Sequence, residues 1–307
     1  MGCAATKSPA SCQQIPNLEN STNPKFNQDP EIKQDPQINQ IPQENNQINP
    51  IKNKILSKNV QLDEICKTIN QLNISQFNNT TYKGQRQQDQ MHGQGEFTQY
   101  SDGQNQVLDY YLGEWKDNKR DGFGMMIYFR GEQYDYYVGQ FQQDKRHGKG
   151  YIEYSNGDTY DGYFQNDLFE GQGKYTHKDQ ISFYDGNWNQ NQRNGEGKEQ
   201  GIDENRKWKF EGQFLNNMRQ GKGKLIIEEF CEINGDFEKN FPKNAQITYF
   251  EQKFTEHQSY IGDLGVNNEM EMIYEGTGKL TLRNNQVIEG QFKEHKYQDL
   301  NQAIQAN

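Results

Sequence analysis

The first six residues of the chain, MGCAAT, carry the clearest chemistry in the sequence. Gly2, with a threonine four residues later, fits the pattern for N-terminal myristoylation after removal of Met1. The thiol of Cys3 lies directly beside that glycine and is a candidate for palmitoylation, and Cys12 is a weaker candidate. Because one myristoyl chain binds a membrane only marginally, stable anchoring requires a second signal. We therefore predict acylation at Gly2 and Cys3. The alternatives are myristoylation alone and a chance Met-Gly-Cys start.

A second candidate site is a set of basic residues that stand just before successive Gly-x-Gly sequences. Its members are Lys119, Arg120, Lys145, Arg146, Arg193 and Arg219. If they align along one edge of the molecule, they form a stripe for anionic phospholipid headgroups or a protein partner. The formal net charge of −10 weighs against this stripe and favours ordinary solvated turn residues.

Patterns for catalysis and metal binding are incomplete. Gly173-Lys174, Gly223-Lys224 and Gly278-Lys279 lack both the earlier glycine and the following Ser or Thr of a phosphate-binding loop. The five histidines form no metal or triad pattern, and the four cysteines form no pair at zinc-site spacing. We expect no enzymatic activity, no cofactor and no metal.

The composition is unusual for a globular protein. Only 31% of the residues are apolar, yet the chain has 18 Tyr and 17 Phe, which favours a thin structure that buries aromatic rings in one layer. An acidic chain with a pI of about 5.1 is a poor general binder of nucleic acid. With no signal-peptide pattern and no long apolar run, we expect a cytosolic protein.

The N-terminal part changes character near residue 57. Residues 1–56 contain regularly spaced prolines, no Trp and no Tyr, and are predicted to be disordered. Residues 57–76 are predicted to form a short amphipathic helix, with Ser57 or Asn59 as its cap. Its apolar face consists of Leu62, Ile65, Ile69 and Leu72. This helix either covers the open end of the next domain or binds a partner. Residues 295–307 are predicted to be a C-terminal tail.

Between residues 77 and 294 the sequence repeats one unit. The unit is aromatic-x-Gly-x-aromatic, a polar segment, and Gly-x-Gly whose first glycine comes nine residues after that of the first motif. The best units contain Tyr111, Gly113, Trp115, Gly122 and Gly124; Tyr137, Gly139, Phe141, Gly148 and Gly150; Tyr160, Gly162, Phe164, Gly171 and Gly173; and Tyr184, Gly186, Trp188, Gly195 and Gly197. Two more units in the same register begin near residues 82 and 210, and weaker units begin near residues 233, 260 and 288.

Alternation with period two places both aromatic residues of a unit on one face of a strand. The polar segment then turns the chain, and the Gly-x-Gly begins a second strand, so each unit is predicted to be an antiparallel hairpin. A single hairpin is only marginally stable, so the units must stack. The glycines mark places where a ring or a backbone approaches closely.

These units resemble the MORN repeat (membrane occupation and recognition nexus) over about residues 82–293. The resemblance implies an all-β fold, an elongated single-layer array of antiparallel hairpins. It also implies a role in tethering to membranes, scaffolding or protein contact. Combined with the acylation pattern, it predicts a non-enzymatic scaffold or adaptor on the cytoplasmic face of a membrane. The alternatives are a soluble cytoskeletal or ciliary interaction module and a regulatory subunit of a lipid or nucleotide enzyme.

Overall fold

The structure is a computed structural model that describes residues 48–70, 72, 74–77, 79–101, 106–203, 206–250, 256–266 and 272–298. The chain divides into two compact units, whose described parts are residues 48–178 and residues 179–298. We call them the N-terminal unit and the C-terminal unit, and each is built mainly from antiparallel strands that follow one another in chain order.

The N-terminal unit has two helices and nine strands. They are α1 (Ile48–Leu56), α2 (Val60–Ile69), β1 (Ile74–Phe77), β2 (Thr80–Gln87), β3 (Gln90–Tyr100), β4 (Val107–Lys116), β5 (Lys119–Arg130), β6 (Gln133–Gln142), β7 (Lys145–Glu153), β8 (Thr159–Gln165) and β9 (Leu168–Thr176). Each strand pairs with the next in antiparallel register.

The C-terminal unit has ten strands in the same serial arrangement. They are β10 (Phe183–Asn189), β11 (Gln192–Asp203), β12 (Arg206–Leu215), β13 (Met218–Ile227), β14 (Cys231–Glu238), β15 (Phe241–Tyr249), β16 (His257–Val266), β17 (Met272–Leu282), β18 (Val287–Lys293) and β19 (Lys296–Gln298). Each again pairs with the next. The predicted all-β hairpin array is therefore confirmed.

The turns inside the hairpins are shorter than the polar segments of the sequence suggest. In the hairpin β4–β5, Lys116 pairs directly with Lys119, so that only Asp117 and Asn118 form the turn. Both have positive φ, 52° and 66°. This is the type I′ conformation, whose twist matches that of the flanking strands. Similar pairs of positive-φ residues stand at 88–89, 143–144, 166–167, 190–191, 216–217, 239–240 and 294–295.

The repeated glycines lie under the repeated tyrosine rings. Gly113 pairs with Gly124 across the hairpin, and the ring of Tyr111 covers both. A Cβ added to Gly124 would lie 2.6 Å from Cζ of Tyr111, closer than non-bonded atoms approach. The Tyr111 hydroxyl donates a hydrogen bond of 2.9 Å to the carbonyl of Glu114. The predicted role of these glycines, close packing against a ring, is therefore confirmed at this unit.

The aromatic side chains of successive hairpins interlock on one face, which we call the aromatic face. Tyr111 makes edge-to-face contacts with Trp115 of its own hairpin (ring centroids 5.1 Å apart) and Phe141 of the next (5.2 Å). Tyr137 repeats this pattern with Phe141 and Phe164, both at 5.1 Å. Because Tyr111 and Tyr137 each bridge two hairpins, the buried layer is continuous across the hairpins from β4 to β8 although each hairpin is thin.

The predicted amphipathic helix is present, as α2. The side chain of Asn59 accepts a hydrogen bond from the Leu62 amide and caps its start. Leu62, Ile65 and Ile69 are buried, as predicted, whereas Leu72 follows the helix and is half-buried. The helix is shorter than the predicted segment.

The prediction that residues 1–56 are disordered is wrong for residues 48–56, which form the helix α1. Ile48, Ile51 and Ile55 are spaced by three and four residues and give α1 an apolar face. Pro50 falls in its first turn, where a missing amide hydrogen costs nothing. Residues 1–47 lie outside the described residues.

The helices cover a face of the sheet, and the prediction that one of them would cover an open end is wrong. Their isoleucines pack on Tyr110, Leu112, Met125 and Ile127, which point away from the aromatic face. The ammonium of Lys52 on α1 contacts the carboxylate of Glu96 at 2.8 Å. Strands β4 and β5 carry apolar residues on both faces because both are buried.

Candidate functional site: the turn edge of the hairpins

The predicted acylation residues, Gly2 and Cys3, lie outside the described residues, and their modification stays a prediction. The same holds for Cys12. The other two cysteines, Cys66 and Cys231, are buried free thiols. Burial raises the pKa of the Cys231 thiol to about 12, so it stays a neutral thiol at physiological pH.

The predicted basic stripe does not exist as an exposed set of six residues. Lys119 and Lys145 are exposed, but Arg120, Arg146, Arg193 and Arg219 are buried. The polar segment before each Gly-x-Gly predicted a long turn that contains the arginines. Because the turn has only two residues, each arginine already belongs to the second strand of its hairpin and points into the aromatic face.

Each buried arginine lies between two aromatic rings. The guanidinium carbon of Arg146 is 5.9 Å from the ring centroid of Tyr137 and 5.3 Å from that of Phe164. Arg120 lies in the same way between Tyr111 (6.0 Å) and Phe141 (5.9 Å). These cation–π contacts fix the arginine between consecutive hairpins. In the hairpin β8–β9 the equivalent residue is Phe169, which stacks on Tyr160.

The arginines of the N-terminal unit are neutralised by the aspartate in the next turn. Nε of Arg120 lies 3.1 Å from Oδ1 of Asp144, and Nε of Arg146 lies 3.0 Å from Oδ1 of Asp167. Arg146 also donates to the backbone carbonyl of Asp167 at 3.0 Å. Each buried positive charge therefore has its own carboxylate, which offsets the cost of its desolvation.

In the C-terminal unit the buried arginines are neutralised in a different way. Asn217 and Asn240 occupy the turn positions that Asp144 and Asp167 hold in the N-terminal unit, so no turn carboxylate is present there. Instead, Glu199 forms ion pairs with Arg193 and, at 2.9 Å, with Arg219. All three side chains are more than 90% buried. We call this group the Arg–Glu–Arg triad.

A further interaction at the turn edge was not predicted from the sequence. The side chain of Asn118, the second turn residue of β4–β5, accepts a 2.7 Å hydrogen bond from the amide of Met91 on the preceding hairpin. The amide of Asn118 donates in return to the Met91 carbonyl at 3.0 Å. We call this two-bond contact a latch. Its sequence signal is an Asn or Asp at the second turn position.

The latch recurs in both units with the same geometry. The other pairs with an Asn or Asp are Asp144 with Arg120, Asp167 with Arg146, Asn217 with Arg193, and Asn240 with Arg219. Because the latch joins one hairpin to the next at the turn edge, it aligns neighbouring hairpins where the ladder of the strands ends.

Replacing Asn118 with Gly should lower the free energy of unfolding by about 1 kcal/mol. Glycine keeps the positive φ of the turn but removes the acceptor for the Met91 amide. Urea unfolding would measure the change. The matched control is Asp117→Gly in the same turn, which removes no latch and should shift stability by only a few tenths of a kcal/mol. Equal effects of the two substitutions would contradict a role for the latch.

The face opposite the aromatic face differs between the units. In the N-terminal unit it carries the helices, and Tyr163 on β8 is half-exposed there. In the C-terminal unit it carries cross-strand ion pairs between exposed or partly exposed side chains. These are Lys198–Glu211, Lys224–Glu232 and Lys279–Glu289, at 3.1, 2.9 and 3.4 Å. Such pairs add little stability but define a polar contact surface.

The hydroxyl groups of two tyrosines of the N-terminal unit stay protonated near neutral pH. Burial raises the pKa of both Tyr128 and Tyr154 to about 12. Within the described ranges, no group of three or more His, Cys, Asp or Glu residues is arranged to hold a metal ion. No helix of the described part is long and apolar enough to cross a membrane.

Comparison with known families agrees with the geometry. The family model of the MORN repeat matches six segments of the chain, residues 82–104, 111–133, 137–159, 160–181, 184–206 and 210–227. A search of curated proteins found no match. The matched segments are the hairpins with regular glycines. The strands β14 to β19 continue the pairing beyond them.

Proposed function

Because the chain is a MORN-repeat protein, we propose that it is a membrane-tethered scaffold or adaptor, with the tether at the N-terminus and the repeat array as the binding surface. MORN repeats are generally non-catalytic binding modules, which supports a binding role. The observation that carries the tether is the start MGCAAT, which joins a myristoylation pattern to an adjacent cysteine.

Membrane energetics supports two acyl groups over one. A single myristoyl chain gives reversible, weak binding, whereas a second acyl chain makes the attachment stable. Neither buried thiol of the described part is placed to provide the second chain, since Cys66 and Cys231 pack inside the fold. Cys3 is the residue best suited to this role, because it adjoins Gly2 and would meet the membrane once myristate has bound.

The repeat array supports the adaptor part of the proposal. Its aromatic face is filled by its own side chains, so a partner would contact the turn edge or the polar face of the C-terminal unit. Lys119 and Lys145 remain exposed on the turn edge, and the ion pair Lys198–Glu211 lies on the polar face. The paired opposite charges of the polar face favour a protein partner over a uniformly anionic membrane surface.

Gly2→Ala should abolish membrane association, and Cys3→Ser should reduce it to the weak level of a single myristoyl chain. Fractionation of cells expressing the full chain would measure this, with metabolic labelling by myristate and palmitate analogues. The matched control is Cys12→Ser, which should leave the distribution unchanged. If wild type and all variants partition alike and incorporate no label, the tether is absent. Recovery of all of them with detergent-resistant filaments would instead favour the soluble cytoskeletal module.

A further inference from the structure

The last hairpin of the C-terminal unit is latched by a histidine where the other described latches use Asn or Asp. Its turn consists of Glu294 and His295, with φ of 49° and 67°, the same conformation as the other turns. Nδ1 of His295 accepts a 3.2 Å hydrogen bond from the amide of Tyr274. The amide of His295 donates in return to the Tyr274 carbonyl, also at 3.2 Å. His295 therefore occupies the place that Asn240 holds two hairpins earlier.

A latch made by histidine differs from one made by Asn or Asp in one chemical respect. The contact requires Nδ1 to be an acceptor, which is true only of the neutral imidazole with its proton on Nε2. A protonated imidazole has N–H groups at both positions and would point a donor at the Tyr274 amide. Asparagine does not titrate, and a free aspartate titrates near pH 4. Histidine titrates near pH 6.5, within the range that cells use for signalling.

Several ionisable groups surround this latch. From β16, Nδ1 of His257 lies 3.0 Å from the hydroxyl of Tyr274, and that hydroxyl lies 2.8 Å from that of Tyr249 on β15. From β17, the carboxylate of Glu275 accepts from the amide of Glu294 at 3.2 Å. The charge of Glu256, just before β16, acts to raise the pKa of His257. Other charged residues of these strands are Asp263 on β16, and Lys293, Glu294 and Lys296 of the terminal hairpin.

The two imidazoles oppose each other when charged, because they share Tyr274. Burial, with the charge of His295 as the next cause, lowers the pKa of His257. Tyr274 therefore contacts both imidazoles, that of His257 through its hydroxyl and that of His295 through its backbone.

We propose that the terminal hairpin β18–β19 is held by a pH-sensitive latch, which closes when His295 is neutral and opens when it is protonated. Because the latch requires the neutral ring, it contributes stability at neutral pH and loses that contribution as the pH falls through the range in which imidazole titrates. Opening weakens the attachment of β18 to the outer edge of β17, whose residues 276–281 pair with β18. It also withdraws Phe292 from the ring of Tyr260.

Hydrogen exchange of the full chain at pH 7.5 and pH 5.5, corrected for the intrinsic pH dependence of exchange, tests the latch. In the wild type, the amides of residues 287–293 should exchange about tenfold faster at pH 5.5, the expected effect of losing one hydrogen bond. In His295→Asn, which keeps the latch with a group that does not titrate, the corrected rates should agree within about twofold. His147→Asn, in the N-terminal unit, should behave like the wild type.

Two outcomes would overturn the proposal. The first is a wild-type hairpin whose corrected exchange does not change between the two pH values. The second is an acid response that persists in His295→Asn but disappears in His257→Asn, because the sensor would then be the other ring. Residues 210–225 on β12 and β13 serve as an internal reference within each sample, since no histidine lies in that segment.

Discussion

Replacing Glu199 with Gln should lower the free energy of unfolding of the C-terminal unit by about 3–5 kcal/mol, the range found when one partner of a buried ion pair is removed. Glu199 is the one carboxylate of the Arg–Glu–Arg triad, and it contacts both Arg193 and Arg219. Glutamine fills the same space but leaves two guanidinium groups in a buried site with a neutral partner. The turn residues near them, Asn217 and Asn240, provide no negative charge.

Urea unfolding with pulse-labelling hydrogen exchange would measure the change, because it reports the two units separately. The matched control is Glu211→Gln, which removes a carboxylate from an ion pair whose side chains are more than 60% exposed. This control should cost at most about 1 kcal/mol. A loss in Glu199→Gln no larger than in the control would show that the triad does not need its carboxylate.

The triad also predicts a partial rescue. In the background of Glu199→Gln, the further change Arg219→Met removes one of the two buried positive charges, and a long apolar side chain takes its place beside Trp208 and Phe210. Replacement of buried charges by apolar residues of similar size is often neutral or stabilising. The double variant should therefore be more stable than Glu199→Gln alone.

The hairpins and their packing face could be predicted from the sequence because they depend on local periodicity. Tyr111, Gly113 and Trp115 alternate with period two, and such spacing permits only a strand with both rings on one side. The same alternation predicts which faces of β4 and β5 form the aromatic face, because the glycines of a hairpin lie on the same face as the ring that covers them. These features require no knowledge of distant contacts.

The position of the arginines could not be predicted, because it depends on the exact length of the turn. A six-residue turn would place Arg120 in solvent, whereas the observed two-residue turn places it on β5, facing Tyr111. A shift of this kind moves a side chain from one surface to the other. The positive φ values of Asp117 and Asn118 decide between the two, and the sequence signal for them is only the pair Asp-Asn.

The docking site of the two helices could not be predicted from the sequence, for a different reason. The face of α2 was evident from its spacing, but its docking site depended on an apolar column on the far side of β4 and β5. Leu112 and Met125 form this column, and the equivalent positions of later hairpins hold charged residues such as Asp161 and Lys174. The contrast becomes visible only when the register of the strands is known.

Replacing Gly124 with Ala should destabilise the N-terminal unit by about 3 kcal/mol, the upper part of the range for overpacking a filled core. The new methyl group would stand 2.6 Å from Cζ and 2.7 Å from Cε2 of Tyr111. The ring has little room to retreat, because it also contacts Trp115 and Phe141 and is fully buried. The hydrogen bond from its hydroxyl to Glu114 holds it in place as well.

A double-mutant cycle with Tyr111→Leu isolates the clash from the intrinsic effect of alanine. Removing the ring costs stability by itself, but it also makes room for the methyl group, so the two losses should be clearly less than additive. Gly131→Ala is the control, because no atom lies within 4 Å of its added Cβ, and its positive φ of 67° should cost only about 1–2 kcal/mol. Additive losses for Gly124→Ala and Tyr111→Leu would mean that Gly124→Ala destabilises the unit through its backbone conformation and not through a clash with the Tyr111 ring.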